Sequence, residues 1–369
     1  MAGGYELMDG SQAYTAHARY AHAKALYEGT EYDLSDYLES LSYTDNASGT
    51  LDQISLVLDL DGMDRLGGSW EPEKGKDLDV TIYMENWYVN GVQEKYHCGN
   101  FVIDDITITG SPSRMTLKAI SQPADSSLKE RKRTKTWQKV TIKQIAQEIM
   151  NKYGMTKLYF NCDDVSIDSV EQSSQTDLDF LKAQCEKYGL SIKCYKVGFV
   201  IFDETWYESG NSYNYYGLYP KSAAAGSNAG YEDWPTHEIQ PNYSWNATLQ
   251  GTYTGATLKY TSGKKGKTIE TTVGTDERLL YINEKADSLA EAERIAKSKV
   301  NEANKKQVTL TFSPALFSPG LFASYCVDIV NLPRERCNGK YYVEKVAVSL
   351  SGSGGLTETV TTRKLCTRL

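Results

Sequence analysis

Histidine is scarce in this chain. Only His17, His22, His97 and His237 occur among 369 residues, a thin inventory for acid–base or metal chemistry. No run of 18 apolar residues exists, which excludes a membrane-spanning helix. No CxxC pair occurs, and the seven cysteines (98, 162, 185, 194, 326, 337 and 366) are odd in number and sit in apolar strand or helix patterns. That argues against a disulfide framework and for reduced, buried thiols in a protein made in a cytoplasm. The opening MAGGYELMDGSQAY has neither a basic start nor an apolar core, so residues 1–24 read as a loose tail and not as a signal peptide.

Catalytic patterns are also missing. HExxH, GxSxG, GxxxxGKS/T and GxGxxG are absent. The acids of DLDGMD (59–64) suggest a calcium loop, but the closing position, twelfth when Asp59 is counted as the first, is Trp70, not Glu. Glu71 with Glu73, and Asp104 with Asp105, are carboxylate pairs of glycosidase type. Asp104 and Asp105 lie inside an alternating strand pattern, so they face opposite sides of it and cannot line one cleft. The reading is of a non-enzyme without metal or cofactor.

What is present is segregated charge. The net charge of −8 conceals ten acids and no base between Lys24 and Arg65, including Asp33, Asp36, Asp45 and Asp52. From Arg114 to Lys152 ten bases face three acids, with the cluster KERKRTK at 129–135. Such a cluster reads either as a phosphate-binding patch or as a solvated or partner-facing loop; no sequence-specific nucleic-acid signature accompanies it.

Three regions follow from the patterning. Residues 25–122 are strand-rich: SLVLDLDG, LDVTIYMENWYV, CGNFVIDDITITG and SRMTLKAISQP alternate around turns at Asn90-Gly91 and Gly110-Ser111-Pro112. They predict a small antiparallel barrel or sandwich. Residues 123–242 predict an α+β insert. Its first helix, in 140–154, is capped by Thr141 and puts Ile145 and Ile149 on one face with Ile142, Ala146 and Met150. Its second begins at Ser174 or Thr176, carries Leu178, Phe180, Leu181 and Cys185 as an apolar stripe, and stops at Gly189 before the strand Ser191–Tyr195. These apolar residues are the expected core of the insert. The Tyr/Gly/Ser-rich stretch 207–235 contains Tyr213, Tyr215, Tyr216 and Tyr219 and reads as a partner-contact loop, a linker or a sugar-binding surface. Residues 243–369 return to strands, with a helix at 288–306 and turns at Asn338-Gly339 and 352–355.

The order of motifs resembles the late control protein D family, the baseplate hubs of contractile phage tails and phage-tail-like bacteriocins. The resemblance runs from about residue 25 to 369. It is carried by SYTDNASGTLDQISL and GNFVIDDI, by KERKRTKTWQKVTIKQIAQEIMNKYG followed by QSSQTDLDFLKAQCEKYGLSIK, and by ALFSPGLFASYCVDIVNL with KYYVEKV. Many members carry a histidine just after the last of these; here Ala347-Val348-Ser349 stands instead. The resemblance implies a mainly β fold with two tail-tube-like antiparallel β-barrels flanking the small α+β domain. It further implies a homotrimer adapting a six-fold tail tube to a three-fold central spike, with tube, spike and other baseplate (wedge) proteins as partners and no membrane. The protein would assemble in the bacterial cytoplasm and end in a virion tail or an extracellular bacteriocin particle. On this reading Asp33, Asp36, Asp45 and Asp52 line a lumen. A tail-associated peptidoglycan hydrolase and a carbohydrate-binding module using the 207–235 tyrosines are the alternatives.

Overall fold

The alternating residues of the first region form β1 (Tyr20–Tyr27), β2 (Thr30–Asp33), β3 (Leu38–Asn46), β4 (Gln53–Asp59), then α1 (Leu60–Arg65), β5 (Asp77–Glu85), β6 (Gln93–Thr109) and β7 (Arg114–Ile120). The computed structural model describes residues 18–67, 69–122, 127–212, 214–219, 236–261 and 266–369. Strand order is β2-β1-β5-β6-β7-β4-β3, all antiparallel. In β5, Leu78, Val80, Ile82 and Met84 turn inward while the intervening residues stay partly exposed, as period-two patterning requires. The long β6 pairs β5 up to Val102 and β7 from Val102 onward, with register shifts on both sides of the change. β1 begins at Tyr20, inside the segment expected as tail, because Ala21, Ala23 and Ala25 are buried against this sheet.

The middle of the chain supplies α2 (Ser127–Glu130), β8 (Arg133–Thr141), α3 (Ile142–Lys152), β9 (Lys157–Asn161), β10 (Ser166–Gln175), α4 (Asp177–Lys187), β11 (Ser191–Tyr195), β12 (Gly198–Phe202) and α5 (Glu204–Ser209). Both long helices start where side chains meet the first free N–H groups. Thr141 forms a capping box with Gln144 (Gln144 N–H to Oγ1 3.2 Å, Thr141 N–H to Oε1 2.9 Å). For α4 the cap is Thr176, whose Oγ1 accepts from Asp179 N–H at 3.1 Å; Ser174 lies back in β10. Gly189 ends α4 with φ +77°, a conformation that costs glycine nothing.

Then come β13 (Tyr215–Gly217), β14 (His237–Glu238), β15 (Ser244–Ala247), β16 (Gly255–Thr261), β17 (Thr268–Gly274), β18 (Leu279–Ile282), α6 (Leu289–Asn304, capped by Ser288), β19 (Val308–Phe312), β20 (Cys326–Val330), β21 (Gly339–Ser351) and β22 (Leu356–Lys364). One edge of β21 runs along β22. The other pairs β20 over Gly339–Tyr342 and then β3 over Lys345–Ser351. Strands of the two ends, together with β13 and β14, therefore form one 14-stranded sheet, not two separately closed barrels, while β16–β18 form a sheet of their own. Between β1 and β3 the hairpin tip of β21–β22 is bridged by single hydrogen bonds, Ala21 N–H to Gly354 O at 3.1 Å and Gly352 N–H to Glu39 O at 2.9 Å. The physical cause lies in β21 itself. Tyr341, Tyr342 and Val343 are buried in succession, as in a strand covered on both faces, and its register against β22 shifts at Glu344.

Two cores result. The larger joins both ends through residues such as Leu41, Leu56, Phe101, Phe312, Tyr341 and Val346. The second joins Ile145, Ile149, Leu178, Phe180 and Leu181 to Ala256, Leu258, Ile295, Ala296 and Val300. Residues 255–304, expected within the second barrel, thus pack on the α+β unit instead. The apolar stripe of α6 needed a partner, and α4 with sheet β17-β16-β18 supplies it.

Candidate functional site

The insert meets the rest of the molecule through buried charges. Lys193 of β11 reaches Asp45 of β3 (Nζ to Oδ1 2.7 Å) and approaches Asp52 at 3.8 Å. The second oxygen of Asp45 accepts the N–H of Ala323 at 2.8 Å, and Asp52 Oδ1 accepts that of Asn46 at 2.8 Å. One carboxylate thereby touches all three parts of the chain. A cavity of about 340 Å³ opens beside it, walled by Tyr43, Phe101, Tyr195, Phe202 and Tyr325. Burial pushes the Asp52 carboxyl up to about 6 with Asp45 adding to the rise, while Lys193 opposes it. Asp45 and Asp52 are therefore not lumen-facing. The desolvation of their carboxylates is offset by Lys193 and two backbone donors.

A second joint lies on α5. Arg363 of β22, 1% exposed, places its guanidinium 2.8 Å from Glu204 Oε2 and 2.5 Å from Glu208 Oε1. Arg368 bonds the same two carboxylates at 3.2 and 2.5 Å, Lys305 bonds Glu204 at 3.0 Å, and the Ser191 hydroxyl donates to Glu204 Oε1 at 2.7 Å. The Arg363 guanidinium also lies 4.4 Å from the ring centre of Tyr342. Burial works against the charge on Glu204, but Lys305, Arg363 and Ser191 more than offset it and hold its carboxyl at about 2.

At the third joint no cation pairs with the carboxylate among the described residues. Glu358 accepts Ser318 N–H at 2.7 Å, and burial pushes its carboxyl up to about 8 against that hydrogen bond. Next to it, Phe317 O accepts from Trp87 Nε1 at 3.2 Å and from the Tyr88 hydroxyl at 2.7 Å, clasping the 316–318 segment to the first region. Tyr216 belongs here too. It is fully buried, its hydroxyl is 2.9 Å from Ser318 Oγ, and β13 pairs in parallel with β14 and β20. At Gly217 a Cβ would stand 1.9 Å from Val330 O, so this pairing requires glycine.

The sequence-expected residues thus divide. Leu178, Phe180, Leu181, Ile145 and Ile149 are brought together in one core. Tyr216 is a core residue and not part of a contact loop, while Tyr215 and Tyr219 are exposed and Tyr213 and residues 220–235 lie outside the described residues. Asp33, the last residue of β2, and Asp36, in the turn that follows, are exposed. Asp59 to Asp64 form the end of β4 and α1, with Asp61 accepting Ser113 N–H at 3.0 Å, and not a cation loop. Among the described residues no group of three His, Cys, Asp or Glu side chains is placed to hold a metal, and no helix is long and apolar enough to cross a membrane. None of the seven cysteines is bonded to another. The joints were missed because their partners are far apart in sequence. One signal was available: Glu358 sits between Leu356 and Val360 on the inward face of β22.

No family model matches the chain. It is 27% identical over 172 residues to the "Probable baseplate hub protein" of Escherichia phage 186, covering 46% of this chain and 41% of that one. The protein of the same description from Escherichia phage P2 is 28% identical over 172 residues, with the same coverage. The match thus spans less than half the length of these relatives. Among solved structures, a tail protein from Neisseria meningitidis MC58 superposes over 94% of this chain and 97% of its own with a TM-score of 0.66 at 12% identity, a likeness of fold. These similarities bear out the resemblance to baseplate hub proteins read from the sequence.

Proposed function

We propose that this chain is a structural baseplate hub of a contractile tail or tail-like injection particle. The observation that carries the reading is the similarity to two phage hub proteins, joined to a tail-protein fold over nearly the whole chain. On this reading the two ends of the large sheet are tail-tube-like barrel units fused through β3 and β21. Three copies then present six such units, adapting a six-fold tube to a three-fold spike. The hub performs no catalysis and holds no cofactor. Its partners are two further copies of itself, the tube protein, the central spike and the wedge proteins. It assembles in the bacterial cytoplasm and remains in the tail.

The charged joints suit a part that transmits force. Two ion networks and a backbone clasp fix the α+β unit and the two ends of the sheet relative to one another. A part that must transmit force between a tube and a spike needs such fixed geometry more than it needs a pocket. Quantitative mass spectrometry of purified particles tests the proposal: three copies per tail are expected, and six would overturn it. A cleared band on a cell-wall zymogram would overturn the non-enzymatic reading.

A further inference from the structure

The ribbon of β8 and β10 carries a groove of about 500 Å³ against α3 that the proposed role leaves unused. Five cations line it: Arg131, Lys132, Arg133, Lys135 and Lys152. Its two carboxylates are already engaged, Glu148 by Lys135, and Asp177 by Lys152 and the Tyr153 hydroxyl. This is the basic cluster of the sequence, now folded along one wall.

An independent observation points to a ligand. Arg133 Nε, Trp137 Nε1 and Gln172 Oε1 are buried on this groove without a hydrogen-bond partner among the described residues. Trp137 is 4% exposed and Gln172 1%. Arg133 Nε lies 3.3 Å from Asp177 Oδ2 but is not aligned to bond it. Phe180 stacks on the Trp137 ring from the core at 5.9 Å, and Lys135 Nζ sits 3.5 Å from the ring centre. Both faces of the ring are thus occupied, and Nε1 on its edge is buried without an acceptor among the described residues. Buried polar atoms are seldom left unpaired, and three on one groove define a complementary partner. Finally, β8 pairs only with β10 among the described strands, so its other backbone edge is unpaired.

We propose that this groove receives an extended acidic segment of a partner protein. Side-chain carboxylates of the segment meet the cations and the two unmet donors. Its backbone N–H groups supply the donor that Gln172 Oε1 lacks, and its main chain can add to the free edge of β8. A phosphodiester backbone offers acceptors only and would leave Gln172 unmet. The inference does not rest on the hub reading and stands or falls separately from it.

The test uses the full chain, ¹⁵N-labelled, and a short fluorescein-labelled peptide alternating Glu and Thr. The expected result is a shift of the Trp137 indole resonance, identified by Trp137→Phe, together with saturable binding by anisotropy. Reversing two exposed charges outside the core, Arg131→Glu with Lys132→Glu, should weaken that binding roughly tenfold or more while leaving the spectrum folded. The proposal is overturned by an unmoved indole resonance at saturating peptide, by unchanged affinity in the charge-reversed variant, by equal binding of a Lys-Thr peptide, or by tighter binding of an oligo-dT of equal charge.

Discussion

The α+β unit and the large sheet are held together in different ways. In the α+β unit, α3, α4 and α6 begin at threonine or serine caps and bury regular apolar stripes, α3 and α4 stop just before Gly154 and Gly189, and the core closes around Phe180 and Trp137. The large sheet depends on pairings between residues hundreds of positions apart, such as β3 with β21, and on carboxylates whose cations come from other regions. The first kind of order is written locally; the second exists only once the chain has closed on itself. If that contrast holds, damage to a joint should loosen the whole molecule, whereas damage to the helical unit should stay within it.

The largest effect is expected at Arg363. Arg363→Ala removes a buried cation from between Glu204 and Glu208 and should cost about 3–5 kcal/mol in denaturant unfolding. The same loss should appear whether the probe reports on the sheet or on the helices. Phe180→Ala should cost about 3–4 kcal/mol through lost burial and the cavity left beside Trp137. Hydrogen exchange should place that loss in α3, α4 and α6, and an equal loosening of β3–β7 would erase the contrast.

Glu358 sharpens the comparison through pH. Its folded carboxyl titrates at about 8 against an ordinary 4.5. Below about pH 4.5 both states are protonated and no penalty arises. Between there and pH 8 the folded state keeps a proton the unfolded state has lost, so stability falls as pH rises, at up to about 1.4 kcal/mol per unit. Glu358→Gln should flatten that decline between pH 5 and 8 in thermal melts, and a slope as steep as wild type would refute the assignment. Lower on the scale, Thr176→Ala should cost about 1 kcal/mol as a lost cap. Exposed Tyr215→Ala should stay within about 0.5 kcal/mol of wild type.

The same contrast explains what could be read from the sequence. Thr141 and Gly189 mark helix ends by local chemistry, so the start of α3 and the end of α4 are legible nearly to the residue, and good helix formers place α6 within 288–306. Strand patterning announced β5 and β6 but not their neighbours across the chain. Residues 255–304, read with the strands of 243–369, pack on the α+β core, because periodicity tells which face of α6 is apolar, not which core receives it. Asp45 and Asp52 looked like members of an exposed acidic block, since Lys193 lies more than 140 residues away. Tyr216 was grouped with its exposed neighbours because its burial depends on the parallel pairing with β20.

A reconstruction of an assembled tail particle at the junction of tube and spike tests the central claim most directly. The account predicts three copies of this chain in one ring, each placing its two sheet halves at adjacent positions under the six-fold tube. Six copies in that ring, or density for this chain away from the junction, would contradict it.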